Sequence, residues 1–240
     1  MSLNRPAIPA ILPIDDDDYP FPVPERALKN PNGLLALGGS LRPRRLLSAY
    51  RQGIFPWYSE GQPVLWWSPD PRLVLFPEKI IVRRSLAKAI RNRGFEVTID
   101  RAFTRVLRAC AEPRPDQDGT WITAEIFDAY TLLHYNGLAH SFETWLDGEL
   151  VGGLYGVSLG KVFFGESMFS KTSDASKVAF VKAVEWLKSW GYELVDCQVT
   201  TEHLLSLGAE EISRSRFCAL LSQYVNETVS PDAWLRSEHG

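Results

Sequence analysis

Ser141-Phe142-Glu143-Thr144-Trp145-Leu146, followed by residues 150–157 and 162–165, is the stretch on which the fold turns. All three runs read as strands, and Asp147-Gly148 and Gly160 are suited to tight reversals between them. The pattern predicts an antiparallel meander. Downstream, Phe180, Ala183, Val184, Leu187 and Trp190 recur at helical spacing, Asp174 stands where a cap belongs, Gly191 stops the helix, and residues 194–199 follow as a strand. Upstream, residues 73–76 predict a strand, 85–94 a helix, 95–99 a strand and about 123–137 another helix. Between the last two, Phe103, Val106, Leu107 and Cys110 mark one helical face, and Arg101, Arg105 and Arg108 the opposite one.

Residues 1–71 have a different texture. Prolines alternate with Trp57, Trp66 and Trp67, which favours irregular packing; one helix is expected, with Pro43 in its first turn and Gly53 as its stop. This gives a small N-terminal domain over 1–71 and a larger domain over 72–240. The leader 1–19 and the tail 226–240 are expected to fray. The larger domain reads as α+β, with antiparallel strands, helix, strand and helix in the order of acyltransferases that open a sheet between neighbouring strands.

With 45% hydrophobic and 23% charged residues in 240, the chain is that of a globular protein, not a disordered one. It contains no 18-residue apolar run. Its opening is broken by Pro9 and Pro13 and followed by four aspartates, the reverse of a secretory signal, so a cytoplasmic location is expected. Cys110, Cys197 and Cys218 form no Cys-x-x-Cys pair, and His134, His140 and His203 lack metal-ligand spacing; no metal site is predicted. The net charge of -3 hides segregation: residues 79–108 carry nine basic side chains against Glu96 and Asp100, whereas 109–153 carry eight acidic ones against Arg114. Gly165-Glu166-Ser167-Met168-Phe169 lacks the second glycine of a nucleophile elbow, and 152–160 does not fit a dinucleotide-binding turn.

Glu166 and Asp196 stand out because a carboxylate in an apolar strand loses hydration and needs a partner. The plain account pairs Asp196 with a neighbouring backbone group or arginine, and Glu166 with Lys161 or Lys171. The functional account has them meet a cationic ligand. Strand alternation sends Asp196 and Gln198 to one face and Cys197 toward the core.

Phe21-Pro22-x-Pro24, Asn32-Gly33-Leu34-Leu35-Ala36-x-Gly38-Gly39, Gly53-Ile54-Phe55-Pro56-Trp57 and Leu65-Trp66-Trp67-Ser68-Pro69-Asp70-Pro71-Arg72 carry a resemblance. So do Gly119-Thr120-Trp121-Ile122-Thr123, Gly152-Gly153-Leu154-Tyr155-Gly156, residues 165–170, Ala175-Ser176-Lys177, Asp196-Cys197-Gln198 and Ser206-Leu207-Gly208-Ala209. Over about residues 21–221 the chain resembles the leucyl/phenylalanyl-tRNA–protein transferase family. It departs at Ser40, where the family pattern has Asp, and at Ser213, where it has Pro.

The resemblance implies a small N-terminal domain and a GNAT-like catalytic domain whose mixed, mostly antiparallel sheet is flanked by helices. It implies a cytoplasmic enzyme moving Leu or Phe, less readily Met, from Leu-tRNA or Phe-tRNA to proteins beginning with Arg or Lys, and so creating a degradation signal. No cofactor or metal is implied, and a monomer with no membrane contact is expected. By resemblance Gln198 contacts the attacking amine, Asp196 positions or polarises that pair, and Trp57 and Trp121 grip the terminal adenosine. Glu166 is assigned to recognition of a substrate's positive charge. Leu154, Met168 and Val195 are candidates for the donor's apolar pocket; Trp66 and Trp67 are assigned to the core or the domain interface. Arg83, Arg84, Lys88, Arg91, Arg101, Arg105 and Arg108 are candidates for tRNA phosphates, against the plainer account of a solvated basic face. Two other functions stay open: an acetyl-CoA-dependent N-acetyltransferase, although no Arg/Gln-x-x-Gly-x-Gly/Ala loop is present, and a tRNA-binding module without chemistry.

Overall fold

The computed structural model describes residues 8–113 and 120–235, so Gly119 of the Trp121 motif lies outside it. A four-stranded sheet comes first, built from β1 (Ala10–Leu12), β2 (Leu34–Gly38), β3 (Phe55–Pro56) and β4 (Leu65–Trp67) in the order β1-β2-β4-β3, with helix α1 (Pro43–Arg51) inserted. β1 corrects the expected fraying leader. Leu12 is buried, and the strand pairs in parallel with β2 from Ala10↔Ala36 to Leu12↔Gly38; Pro9 and Pro13 bracket it, which an edge strand tolerates. Asp17 and Asp18 then reach Arg42 at 3.5 Å and Arg44 at 2.7 Å. Ser40 donates to Asp17 Oδ1 at 2.5 Å, so an aspartate in its place would set two carboxylates together.

The second sheet has seven strands: β5 (Arg72–Leu75), β6 (Glu96–Ile99), β7 (Ala139–Leu146), β8 (Glu149–Leu159), β9 (Val162–Ser170), β10 (Leu194–Gln198) and β11 (Glu210–Ile212). Their order is β11-β5-β10-β9-β8-β7-β6, and β9 and β10 alone run parallel. The expected α+β class and mixed, mostly antiparallel sheet are present. Helices α2 (Arg84–Asn92) and α5 (Ala175–Ser189) pack with Phe142, Leu154 and Phe163 on one face. The other face carries α3 (Phe103–Ala111), α4 (Ala124–Tyr135), α7 (Arg214–Tyr224) and the first sheet in one continuous core, where Tyr50 and Trp66 are fully buried. The short α6 (Glu202–Leu205) follows β10. At Gly152 a Cβ would meet the Ala175 Cβ at 2.6 Å, so glycine is what lets α5 start directly on the sheet.

Three local expectations need correction. Asp174 occupies the N-cap position of α5 in a left-handed conformation with φ 66° and makes no capping bond; its carboxylate lies 3.5 Å from Arg93 and 3.7 Å from Lys177. Arg101 precedes α3 instead of belonging to its face. The stretch after α7, expected to fray, ends with Trp234 packed among His140, Phe142, Phe163, Trp190 and Tyr192.

Candidate active site

β9 and β10 pair only from Leu194↔Val162 to Asp196↔Phe164, and beyond that they part. Two irregularities flank the parting. The β8–β9 register slips so that Tyr155 faces Ser167 and Gly156 faces Gly165, leaving Glu166 as the extra residue. Such a bulge re-aims side chains, and here it turns Glu166 to the α1–α4 face while Met168 joins the α5 face. β10 slips against β5 between Asp196 and Gln198, and Gln198 takes φ 62°. The gap opens into a crevice of about 690 Å³ that runs from Trp57 and Trp121 past Glu166 and Gln198 to an apolar end among Leu154, Met168, Phe180, Leu187 and Val195.

Glu166 is held by neutral donors. The Tyr50 hydroxyl and Gln198 Nε2 each donate to its Oε1 at 2.8 Å and the Tyr130 hydroxyl donates to Oε2 at 2.9 Å; the two tyrosine oxygens also touch, and with one proton apiece they bond each other only when a protonated Glu166 donates to one of them. Burial is the largest influence and raises its pKa from 4.5 to about 7, against the opposing hydrogen bonds from the tyrosines. Burial and the nearby carboxylate push the Tyr50 and Tyr130 hydroxyls well above the usual tyrosine value, so both remain donors. Neither lysine of the plainer account is involved: Lys161 lies 4.0 Å from Glu227 and Lys171 3.4 Å from Glu112.

Asp196 is arranged differently. Arg72 donates from Nε to Oδ1 at 2.8 Å and from Nη2 to Oδ2 at 2.6 Å, and the Gln198 amide donates to Oδ1 at 2.9 Å. The guanidinium also donates to the Gly53 carbonyl at 3.1 Å and lies between the rings of Phe55 and Phe217. Asp196 and Gln198 both line the crevice, as expected, but both carboxylate oxygens of Asp196 are taken by the buried arginine, as the plainer account had it, and of the two only Gln198 reaches Glu166. Cys197 is half-buried, forms part of the crevice wall on the α5 side, and has its thiol pushed up mainly by burial.

Trp57 is 46% exposed at the rim and Trp121 half-buried beside it, whereas Trp66 is wholly buried and Trp67 donates to the Trp57 carbonyl at 2.7 Å. The basic run divides. Arg84, Lys88 and Arg91 lie exposed on α2, with Arg83 exposed at its N-cap, on the α5 face, while Arg105 and Arg108 are exposed on α3, across the sheet. Arg101 pairs with Glu96 at 3.4 Å, and Arg101 and Arg105 both cover Trp145. No group of three or more metal-ligating side chains occurs among the described residues.

Sequence reasoning missed Arg72, Tyr50 and Tyr130. Arg72 closes the Leu65–Arg72 motif 124 residues before Asp196, and the tyrosines fall in predicted helices outside every quoted motif; 116 residues separate Tyr50 from Glu166.

The family model described as leucyl/phenylalanyl-tRNA protein transferase matches residues 74–222, and the model of that enzyme's N-terminal domain matches 39–70. The chain belongs to this family. It is 58% identical over 220 residues to the leucyl/phenylalanyl-tRNA–protein transferase of Methylococcus capsulatus, covering 92% of this chain and 94% of that one. To the enzyme of the same name from Aromatoleum aromaticum it is 59% identical over 214 residues, covering 89% and 90%. Among solved structures, FemX aligns with a TM-score of 0.47 at 12% identity, covering 71% of this chain and 66% of that one. As a member of the family the chain is a transferase. Ser213, where the resemblance led to an expectation of Pro, starts the helix well: its Oγ accepts the Arg216 amide at 3.3 Å and caps α7.

Proposed function

We propose that this enzyme transfers Leu or Phe, and less readily Met, from the 3′ end of its tRNA to the N-terminal Arg or Lys of a protein. The reaction is ester aminolysis. The acceptor's α-amine, with an ordinary pKa of about 7.7–8.0, attacks the ester carbonyl, the bond to the ribose oxygen breaks, and the amine's proton ends on that oxygen. Little base strength is needed, so proximity, worth up to ~7–11 kcal/mol in model systems, carries the rate.

The observation that supports this reading is the crevice itself, where the apolar end is joined to the Gln198–Glu166 pair, 2.8 Å apart, beneath the partly exposed Trp57. In this proposal Trp57 and Trp121 stack on the terminal adenosine, and Leu154, Met168 and Val195 surround the donor side chain. Glu166 receives a substrate ammonium, whose charge favours the ionised carboxylate that burial disfavours. Gln198 contacts the attacking amine, and Asp196, clamped to Arg72, fixes the Gln198 backbone and acts as a positioning residue. The exposed bases of α2, and Arg101, Arg105 and Arg108, meet tRNA phosphates without reading identity. No helix among the described residues is long and apolar enough to cross a membrane. The proposal extends to a cytoplasmic monomer with a domain division at Pro71, whose products carry a degradation signal.

The test supplies labelled Leu-tRNA, Phe-tRNA or acetyl-CoA with a peptide beginning in Arg. Label from the charged tRNAs in the peptide is expected; label from acetyl-CoA alone, or from none, overturns the proposal.

A further inference from the structure

The apolar end of the crevice owes its depth to two walls, and one side chain far along the chain touches the support of both. Phe163 forms part of the first wall, on β9. Its ring lies so close over Gly156 that a Cβ there would meet Cζ at 2.6 Å, and Phe142 meets it edge-on at 5.8 Å. Leu187 forms part of the second wall, on α5, three residues before the helix is capped at Trp190. Trp234 stands behind both. Its ring is 6.1 Å from that of Phe163 at 29° and 4.9 Å from that of Trp190.

Trp234 is fixed in turn. Its Nε1 donates to the Tyr192 hydroxyl at 2.8 Å, which is bonded to Ser158 Oγ at 2.5 Å, and its ring stacks on His140 at 3.7 Å and 7°. The Ser230 amide donates to the Trp190 carbonyl at 2.8 Å, so the same segment also holds the end of α5. The family match ends at residue 222, so this brace lies outside the matched region.

We infer that Trp234 is a positioning residue that sets which donor side chains the crevice accepts, by bracing Phe163 and the end of α5. The inference rests on the proposal that this chamber receives the donor side chain. A close-packed wall deprived of its backing relaxes into the space left, and a deeper chamber favours the longer side chain.

The experiment is a competition between Leu-tRNA and Phe-tRNA for one Arg-initiated peptide, reading the ratio of the two kcat/KM values. This ratio is independent of the fraction of folded enzyme. Trp234→Ala is expected to raise the Phe:Leu ratio by about tenfold, the lower end of the scale on which apolar pockets discriminate, with the peptide KM unchanged. Trp234→Phe should restore the ratio to within about twofold, because an aromatic backing remains. Phe163→Leu should shift the ratio in the same direction, and the double variant should shift it less than the product of the single effects. If Trp234→Ala is insoluble, Trp234→Leu carries the same expectation. An unchanged ratio in Trp234→Ala or Trp234→Leu, with both donors falling in parallel, overturns the brace. Should the parent enzyme transfer neither amino acid, the underlying proposal fails instead; should Phe163→Leu alone move the ratio, the proposal stands without the brace.

Discussion

Glu143 is buried and Glu166 partly so, and loss of hydration raises both to a pKa of about 7, yet they sit in different kinds of place. Glu143 gathers near neighbours at one corner: Thr98 Oγ1 at 2.6 Å, Ser141 Oγ at 2.5 Å and the Ala102 amide at 3.3 Å, which secures the entry to α3. Glu166 gathers Tyr50, Tyr130 and Gln198 from three separate elements beside an open crevice. The lesson is that a perturbed carboxylate marks a site only when a ligand can reach it; a raised pKa alone marks burial. Asp196 is the third case, buried with both oxygens bonded to its own cation.

The widest gap should appear between that third case and the first two. Arg72→Met strands Asp196 in the core, and breaking a buried pair from one side costs about 3–5 kcal/mol. Urea unfolding followed by circular dichroism should register this; a loss below about 1 kcal/mol would mean that Asp196 finds another partner and the clamp is dispensable. Next in size is the pair Glu166→Gln and Glu143→Gln. Both keep shape and remove ionisation, but only Glu166→Gln should lower kcat/KM for aminoacyl transfer, by about a hundredfold, a typical scale for losing a group that meets developing or fixed charge. Equal losses in the two would erase the distinction between site and corner. Trp57→Ala should weaken binding of charged tRNA by the ~1–3 kcal/mol of one base stack while sparing the rate at saturating tRNA. A fall in kcat without change in KM would assign Trp57 to the reaction instead.

The same contrast explains what the sequence disclosed. The meander, the helix over α5 and strand β10 were legible because turn residues, strand runs and the 3.6-residue period are properties of contiguous residues. Glu166 stood out as a carboxylate in an apolar strand, Gln198 as the residue sharing a face with Asp196, and Trp57 and Trp121 through motif resemblance; the crevice brings them together. The clamp was not legible: Asp196 and Arg72 are 124 residues apart, and nothing in either segment states that they face each other. Bulges were equally hidden, since the slip at Glu166 depends on the pairing of Tyr155 and Gly156 across the sheet. The layout of the basic run was hidden too. Neighbours in sequence went to α2 and α3 on opposite faces, because the edge strand β6 lies between them.

The smallest effect, per pH unit, is also the sharpest comparison. Each of the two glutamates has a folded-state pKa of about 7, above the unfolded value of about 4.3, so the folded protein holds the extra protons between those limits. Stability is therefore greatest below about pH 4.3 as far as these groups are concerned, falls as pH rises toward 7, and is level above that, with a slope of at most ~1.4 kcal/mol per unit for each group. Glu166→Gln and Glu143→Gln should each remove about half of that slope in unfolding measured from pH 5 to 8. Transfer should separate them: the parent rate rises through about pH 7 as Glu166 ionises to receive an ammonium, and only Glu166→Gln flattens that limb. If Glu143→Gln flattened it too, the limb would report loss of fold and not the charge of the crevice, and the assignment of Glu166 to recognition would fall with it.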